Sequence, residues 1–345
     1  MPTRSAVAVP AAAQSKKPSP WGISSSAGSR RTHAEWFPLM KEAGVRTVRS
    51  FPTWSNVEPK KGEWNWKQCD EMIADAEKNG LELNGIFMGK CPWTEGGIHR
   101  FPMENLDDWA SYVEQIVGRY KGKVTYWEVW NEGNAGFNDG KHTTADYAKL
   151  VAVAYDAAKK ANPDAMIGLS VASFNAQYLH QTMLELKKLG KPAAFDWLAI
   201  HPYEIADLLL EPDGEIPFLW MTHHLRTLLK SGCPERADCP IWITEIGHRI
   251  GDSHGRKIDE QQAARALVKM YVMAAAQGIE RIQWFEARDP TNEENGFGVI
   301  DRNGKPRRGL HRLEDFDQGL RVKTSISPLL IDGRLATEDG FLFRD

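Results

Sequence analysis

Short runs of apolar, β-branched and aromatic residues alternate along the chain with longer amphipathic stretches, many of which end at Gly or Asn. The short runs predict β-strands and the longer stretches predict α-helices. The strands are expected at residues 21–26, 45–51, 81–88, 124–130, 166–171, 195–200, 240–244 and 279–285. The helices are expected at residues 35–43, 66–78, 106–120, 144–161, 177–189, 217–230 and 259–277.

This alternation of strand and helix indicates a parallel sheet, because consecutive parallel strands need a helical crossover. Eight such units predict an α/β fold of the (β/α)8 TIM-barrel type. The alternative is an open doubly wound sheet, which is expected to carry a Gly-rich phosphate turn after its first strand. No such turn follows residues 21–26, so the closed barrel is preferred.

Three segments of different character divide the chain. Residues 1–19 are rich in Ala, Ser, Pro and Lys and predict a disordered tail. Residues 20–315 form the predicted catalytic barrel, and residues 316–345 form a short β-like extension, either the start or a remnant of a further β-structure. Within this extension, residues 326–331 and 340–344 are the expected strands.

Composition and charge restrict the compartment and the partners. Charged residues make up 26% of the chain and the net charge is -3, which predicts a globular protein without a bias toward nucleic acid or anionic membranes. Residues 6–14 resemble the end of a secretory signal and favour a secreted or periplasmic protein over a cytoplasmic one. Cys233 with Cys239, and Cys69 with Cys91, can form two disulfides, but four buried thiols are equally compatible with the sequence.

In a barrel of this kind the active site lies at the C-terminal ends of the strands. The residues that follow the predicted strands are therefore the candidates for chemistry. They include an arginine, an amide, a histidine, a tyrosine, a tryptophan and three carboxylates: Arg49, Asn131, Glu132, His201, Tyr203, Glu245, Trp284 and Glu286.

Glu132 and Glu245 end the fourth and seventh strands and are expected to face each other across the barrel mouth. Cleavage of a glycosidic bond needs such a pair, in which one carboxyl group protonates the leaving oxygen and the other attacks the anomeric carbon or activates water. We expect a raised pKa for Glu132, because it follows an aromatic-rich strand. Arg49 is expected to keep Glu245 ionised, and the Tyr203 hydroxyl to donate to it.

The local geometry around Glu132 poses a difficulty. Side chains of consecutive strand residues point to opposite faces, yet Asn131 and Glu132 are both needed in the cleft. The strand must therefore twist or bulge at its end. Glu128 has the same parity as Glu132 and is predicted to be a buried, paired structural carboxylate. Glu286 and Arg288 either support the site or form a solvated pair in a loop.

The chain contains thirteen tryptophans, most of which are expected in the core. Two or three are candidates for stacking on sugar rings. Trp54 and Trp93 lie in the loops after the second and third strands and either contact sugar or pack those loops. His248 closely follows Glu245 and is a candidate for lining the cleft.

Other chemistries find no support in the sequence. It lacks a His-Glu-x-x-His motif, a Cys-x-x-Cys pair and an Asp-rich calcium loop, so no metal site is predicted. It also lacks the Gly-x-Ser-x-Gly turn of serine hydrolases, and its basic residues are spread along the chain. We therefore expect neither a cofactor nor a nucleic-acid partner.

Four segments together resemble the retaining glycoside hydrolases of clan A. They are residues 127–132 (WEVWNE), 200–203 (IHPY), 242–247 (WITEIG) and 46–59 (RTVRSFPTWSNVEP). The chain looks most like family 39 and its relatives, which include β-xylosidases and polysaccharide-degrading endo-enzymes. The resemblance covers roughly residues 20–315.

The resemblance implies a role for each candidate. Glu132 would be the acid/base, Glu245 the nucleophile and Asn131 the ligand of the sugar 2-hydroxyl. Arg49, His201 and Tyr203 would orient the catalytic pair. Trp284 would stack on the innermost sugar.

The sequence departs from the family pattern at two places. Gly133 stands where family 39 usually has Pro, and residues 89–93 (GKCPW) stand where many members of the clan have a His. The predicted function is hydrolysis of β-linked glycosidic bonds in an oligosaccharide or polysaccharide by retaining double displacement. The alternatives are an inactive carbohydrate-binding barrel and a transglycosylase that uses the same residues.

Overall fold

The computed structural model describes residues 21–313, apart from residues 95, 212–213, 254 and 293–294, together with two short strands near the C-terminus. The predicted disordered tail and the predicted strand at residues 340–344 lie outside the described residues. Within the described part, no helix is long and apolar enough to cross a membrane.

Eight parallel strands close into a barrel, as the sequence predicts. Each strand pairs with the next along the chain, and the last pairs with the first. The barrel strands are β1 (Trp21–Ser24), β2 (Thr47–Arg49), β3 (Glu82–Phe87), β4 (Tyr126–Val129), β5 (Met166–Ala172), β6 (Trp197–His201), β7 (Ile241–Ile246) and β10 (Arg281–Phe285). Two further strands, β8 (Gly251–Ser253) and β9 (Arg256–Ile258), form an antiparallel hairpin between β7 and the next helix, which the sequence did not predict.

Helices connect the barrel strands and cover their outer face. The long ones are α2 (His33–Glu42), α4 (Lys67–Asn79), α5 (Leu106–Arg119), α6 (Thr144–Ala161), α7 (Ala176–Lys188), α9 (Glu215–Gly232) and α10 (Glu260–Ala276). Short helices are α1 (Ala27–Arg30), α3 (Trp54–Val57) and α8 (Tyr203–Ala206), with single 3-10 turns at Met103–Asn105, Asp207–Leu210 and Pro234–Arg236. Residues 308–313 are also helical.

The helix α6 shows why these boundaries could be predicted. Thr143 caps its first turn by accepting from the backbone N–H of Asp146, and the Asp146 side chain accepts from the backbone N–H of Thr143. Asn162 and Pro163 then end the helix, because Pro disfavours a helical conformation in the residue before it. Local sequence therefore determines both ends of α6.

Aromatic side chains fill the barrel interior at the N-terminal end of the strands. Trp197 and Trp242 stack with their ring centroids 4.2 Å apart. The guanidinium of Arg281 lies over the rings of Tyr126 and Trp242 and pairs with Glu82. This end of the barrel is therefore closed by packed side chains, and polar chemistry is confined to the opposite end.

The cysteines and the C-terminal strands settle two further expectations. All four cysteines are free and buried, so the structure contains the buried-thiol alternative and neither disulfide. Burial raises the pKa of Cys69 to about 12 and also that of Cys239 to about 12.

Near the C-terminus, β11 (Leu329–Ile331) pairs antiparallel with β12 (Arg334–Ala336), so the strand expected at residues 326–331 is present in part.

Candidate active site

The end of β4 turns two consecutive side chains into the barrel mouth. Trp130 and Glu132, on either side of Asn131, have positive φ angles of 65° and 47°. Non-glycine residues rarely occupy this left-handed region, and two such residues in a row of three break the alternation of side chains. The difficulty recognised in the sequence is therefore resolved by left-handed backbone rather than by a bulge.

β7 meets the same requirement with a bulge. From Ile282 to Trp284, β10 advances by two residues, while its partners on β7 advance by three, from Ile243 to Ile246. Thr244 and Glu245 together stand against a single residue of β10, so both can face the mouth. The argument that exposed the problem at Asn131 applies equally to Thr244 and could have predicted this irregularity.

Gly133 lies where the Phe101 ring leaves no room for a side chain. A Cβ atom there would lie 2.7 Å from Cζ of Phe101, whose ring stacks on His142 with centroids 4.9 Å apart. A side chain at this position would push the Phe101 ring away. The departure from the family pattern thus coincides with a close contact between the β4 turn and the loop after β3.

Glu245 has the two partners expected from the sequence. Arg49 donates from Nη1 to Oε2 of Glu245 at 2.8 Å, and the Tyr203 hydroxyl donates to Oε1 at 2.9 Å. The side chain of Glu245 remains 13% exposed, whereas that of Arg49 is buried. Glu245 is therefore held at a fixed position with part of its carboxylate open to the mouth.

Arg49 joins three acidic or amide groups within the barrel. It donates to both carboxylate oxygens of Glu128 at 2.8 and 2.9 Å, and to Oδ1 of Asn131 at 2.7 Å. Burial acts to lower the pKa of Arg49, but the charges of Glu128 and Glu245 outweigh this effect, so the pKa is raised overall. The guanidinium is thus permanently charged and fixes Asn131 and Glu245 relative to each other.

Glu128 is the buried structural carboxylate that its parity predicted. It is fully buried, and besides Arg49 it accepts from the hydroxyl of Ser170 at 2.6 Å and from that of Thr244 at 3.4 Å. Burial alone would raise the pKa of Glu128, but the Arg49 charge and the surrounding donors lower it strongly. Glu128 is therefore a carboxylate beneath the mouth, with no access to substrate.

Glu132 faces His201, whose Nδ1 lies 2.9 Å from its Oε1. Burial acts to raise the pKa of Glu132, but the hydrogen bond and the charge of His201 outweigh it and lower the pKa. The raised pKa expected from the aromatic strand is therefore wrong for the unliganded site. The expectation fails because His201 outweighs the desolvation of Glu132. Trp127 and Trp130 are themselves fully buried, and Trp127 stacks on Phe87.

His201 lies between the carboxylates and is fully buried. Its Nε2 lies 3.0 Å from the hydroxyl oxygen of Thr244, opposite the contact with Glu132. Burial lowers the pKa of His201, but the charge of Glu245 and the hydrogen bonds to Glu128 and Glu132 raise it to about 9. At neutral pH the unliganded site therefore holds an imidazolium beside an ionised Glu132.

The reactive groups of Glu132, His201 and Glu245 are close together. One oxygen of each carboxylate and one ring nitrogen all lie within 4.8 Å of one another. Such a set can in principle hold a metal ion, but Glu245 already accepts from Arg49 and Tyr203 and both nitrogens of His201 are engaged. The arrangement is suited to proton transfer and nucleophilic attack.

The prediction that Trp284 stacks on sugar is wrong. Trp284 is 2% exposed, belongs to the core between barrel and helices, and donates from Nε1 to the backbone carbonyl of Phe297. Arg281 and Gln283 face the interior, so alternation directs Phe285 toward the mouth. The partly exposed Phe285 packs against Phe297 at 5.4 Å, and strand parity could have identified it from the sequence.

The structure bears out the loop-packing alternative for Trp54 and contradicts the candidate contact of His248 with sugar. Trp54 is fully buried and donates from Nε1 to Glu58 at 2.8 Å, so it packs the loop after β2. His248 is 2% exposed and lies 3.2 Å from Asp207, and is thus covered by the loop after β6. Trp93 is partly exposed and packs edge-on against Trp54, and its contact with sugar stays a prediction.

Glu286 and Arg288 are both buried and do not form a solvated loop pair. Glu286 accepts from the backbone N–H of Ser26 at 2.9 Å and from the side chain of Asn295. Burial raises the pKa of Glu286 to about 7. Through Ser26 and Asn295, Glu286 connects the loop after β1 to the loop after β10. Arg288 pairs with Glu35 instead of Glu286.

Comparison with known proteins identifies relatives by sequence. The family described as Glycosyl hydrolase family 10, a clan A family, matches residues 26–187, a little less than half of the chain. Endo-1,4-beta-xylanase 3 of Hypocrea jecorina is 29% identical over 139 residues, which cover 37% of this chain and 39% of that protein. The chain thus spans about two fifths of the length of this curated relative.

Solved structures share the fold over most of the chain. A family 39 glycoside hydrolase from Bacteroides cellulosilyticus WH2 has a TM-score of 0.71 at 19% identity, covering 92% of this chain and 69% of that one. A monomeric beta-xylosidase from Caulobacter crescentus CB15 has a TM-score of 0.66 at 16% identity, covering 86% and 67%. The sequence resemblance to clan A glycoside hydrolases is confirmed, and the fold is shared with a solved enzyme of family 39.

Proposed function

We propose that this relative of the clan A glycoside hydrolases is itself a retaining glycosidase acting on β-linked polysaccharides. The observation that carries the proposal is the approach of Glu132 and Glu245, whose nearest carboxylate oxygens lie within 4.8 Å. Carboxyl groups of retaining glycosidases lie about 5–5.5 Å apart, whereas inverting enzymes leave about 6.5–9.5 Å for a water molecule. The short separation supports covalent catalysis by Glu245.

In the first step, Glu245 attacks the anomeric carbon while Glu132 protonates the leaving oxygen. Arg49 and Tyr203 hold the two oxygens of Glu245, so little reorganisation precedes attack. In the second step Glu132 removes a proton from water, which displaces Glu245 from the sugar. Each group thus acts twice, and the anomeric configuration is kept.

Asn131 is oriented to recognise the sugar. Arg49 carries only donors, so the atom of Asn131 that lies 2.7 Å from Nη2 must be the amide oxygen. The amide nitrogen then points away from Arg49 and can donate to an oxygen of the bound sugar. We assign this donor to the 2-hydroxyl, where hydrogen bonds gain strength in the transition state.

Aromatic rings at the mouth support a sugar ligand. Phe285 and Phe297 pack together, and the ring of Phe297 lies 6.3 Å from that of Tyr203, next to Glu245. Their partly exposed faces offer an apolar surface for a sugar ring. Because the relatives found by sequence are named as endo-1,4-beta-xylanases, β-1,4-xylan is the first polysaccharide to test.

A barrel that only binds carbohydrate has no need for this complete set. Arg49, Tyr203 and His201 all hold atoms of the two carboxylates in place, and each is engaged in a direct hydrogen bond.

Export of the protein, suggested by residues 6–14, belongs to the same proposal because an extracellular polysaccharide would then be within reach.

The decisive experiment is covalent trapping with an activated 2-deoxy-2-fluoro-β-xyloside. Mass spectrometry of the intact protein is expected to show one added sugar, and peptide mapping to locate it on Glu245. The Glu245→Gln variant is the control and is expected to remain unlabelled. Labelling at another residue, or release of the inverted anomer from a turned-over xyloside in an NMR assay, would contradict the retaining assignment.

A further inference from the structure

A buried chain of hydrogen bonds connects the candidate acid/base to a carboxylate that never meets substrate. It runs from Glu132 through both nitrogens of His201 to the hydroxyl of Thr244 and ends at Glu128. His201, Thr244 and Glu128 are all fully buried, so solvent cannot exchange these partners freely. The direction of each bond in this chain can be worked out from its end.

Glu128 determines where the proton of Thr244 lies. An ionised carboxylate only accepts, so the Thr244 hydroxyl donates its single proton toward Oε1 of Glu128 at 3.4 Å. The oxygen of Thr244 must then accept from His201, whose Nε2 lies 3.0 Å away. The carboxylate also lies 3.6 Å from Nε2, and its charge favours a proton on that nitrogen.

We infer that Thr244 and Glu128 fix His201 with a proton on Nε2, so that the proton shared by Nδ1 and Glu132 is the one delivered to the leaving oxygen. His201 and Glu132 then act as a single proton-carrying unit. Thr244 and Glu128 are positioning residues, since they act on this proton only through the imidazole. The inference rests on the proposed function and specifies the source of its catalytic proton.

The proton balance of the two steps is complete. During glycosylation the Nδ1 proton passes to Glu132 and on to the leaving oxygen, while Glu245 bonds to the anomeric carbon and the glycosidic bond breaks. The imidazole is left neutral with its proton on Nε2. During deglycosylation one water proton passes to Glu132 and back to Nδ1, the water oxygen bonds to carbon, and the ester to Glu245 breaks.

The charges that face His201 favour this cycle. Glu132 and Glu128 approach from β4 and its turn, Glu245 from β7, and the cation Arg49 from β2. The negative charge of Glu245 helps to raise the pKa of His201 in the free enzyme. When Glu245 becomes an ester this charge disappears, so the imidazolium more readily gives up its proton.

Thr244→Val tests the inference, because it removes the hydroxyl at nearly constant volume in a fully buried position. Thr244→Ser is the matched rescue. Thr182→Val controls for the loss of another buried hydroxyl, which donates to the Tyr178 carbonyl within α7. Glu128→Gln is less useful, since it also removes the charge that Arg49 pairs with.

The substrate-free measurement is nitrogen NMR of the full-length protein with labelled histidine, with His201 assigned through a His201→Gln variant. At a pH above the imidazolium pKa of about 9, we expect the neutral imidazole of the wild type and of Thr244→Ser to carry its proton on Nε2. Thr244→Val is expected to shift the tautomer toward Nδ1 and to lower the pKa of the imidazolium. An unchanged tautomer and titration in Thr244→Val would overturn the inference.

The kinetic measurement compares phenyl and 2,4-dinitrophenyl β-xylosides, because the second leaving group hardly needs protonation. For Thr244→Val we expect kcat/KM to fall about tenfold or more on the phenyl substrate and much less on the dinitrophenyl substrate. Equal losses on both would indicate a purely structural role and contradict the inference. If the wild type turns over neither, the assignment of xylosides as substrates fails, and the NMR result alone decides whether Thr244 and Glu128 fix the proton on Nε2.

Discussion

Arg49 and Glu128 form a two-point ion pair inside the barrel, with both carboxylate oxygens accepting from the guanidinium at 2.8 and 2.9 Å. Neither side chain is exposed by more than 2%. Because Arg49 also donates to Glu245 and Asn131, the ion pair holds Arg49 where it supports Glu245, the proposed nucleophile. Removing one charge would leave the other buried without its main partner.

Glu128→Ala is therefore expected to destabilise the protein strongly. Loss of one member of a buried ion pair costs about 3–5 kcal/mol, because the remaining charge stays desolvated. Denaturant unfolding monitored by tryptophan fluorescence measures this change. The control is Glu63→Ala, which removes an exposed pair with Lys60 and is expected to cost no more than about 1 kcal/mol. Similar losses for both variants would contradict the assignment.

The buried carboxyl of Glu286 predicts a dependence of stability on pH. Its pKa is raised to about 7 by burial, so between about pH 4.5 and 7 the folded protein binds more protons than the unfolded chain. The free energy of unfolding should therefore fall as the pH rises through this window, by up to about 3 kcal/mol.

Glu286→Gln is the matched variant for this effect, because it keeps the shape and cannot ionise. Urea unfolding at intervals between pH 4.5 and 8 should show that the wild type loses stability relative to the variant as the pH rises. Parallel curves for the two proteins would mean that Glu286 does not titrate in this range.

The contact between Gly133 and Phe101 predicts a position-specific cost of adding a side chain. Gly133→Ala would bring a Cβ atom to 2.7 Å from the Phe101 ring and is expected to cost about 1–3 kcal/mol of stability. Gly136→Ala, three residues later, meets nothing within 4 Å and is expected to be near neutral. Thermal melts compare the two, and a Phe101→Leu second substitution should restore Gly133→Ala in part.

Phe285 is proposed to contact sugar, whereas its neighbour Trp284 belongs to the core. Substitutions of these two adjacent residues should therefore affect activity and stability differently. Phe285→Ala is expected to lower kcat/KM on xylan about tenfold, equivalent to about 1.4 kcal/mol, while changing the melting temperature little. Trp284→Ala removes a core ring and is expected to cost about 3–5 kcal/mol of stability. If instead Trp284→Phe lost activity without loss of stability, while Phe285→Ala remained active, the original prediction would be right.

The barrel and most of the site could be predicted because their signals are local. Helix caps and glycine stops bound the helices, and residues such as Arg49, Glu132 and Glu245 lie at the C-terminal ends of strands, where position in a barrel determines proximity. The contacts of Arg49 and Tyr203 with Glu245 followed from this proximity and from charge.

The failures arose where tertiary contacts decide. Trp284 was chosen for its residue type, although strand parity favours Phe285. Trp54 and His248 lie in loops whose packing no local pattern reveals. The direction of the Glu132 pKa shift depends on His201, which is distant in sequence, and so it could not be derived from the neighbours of Glu132 along the chain.

The residues that hold the candidate catalytic carboxylates and their protons in place all belong to barrel strands: Arg49, Glu128, His201 and Thr244. Apart from Phe285 at the end of β10, the surfaces that would select a sugar belong to loops, such as the loop that carries Phe297 and the β8–β9 hairpin. An ion pair between Arg256 and Glu211 connects this hairpin to the loop after β6. The residues proposed for catalysis and most of those proposed for sugar selection therefore lie in different parts of the fold. Loops exchanged from related barrels are expected to redirect this scaffold to other polysaccharides without rebuilding its reaction centre.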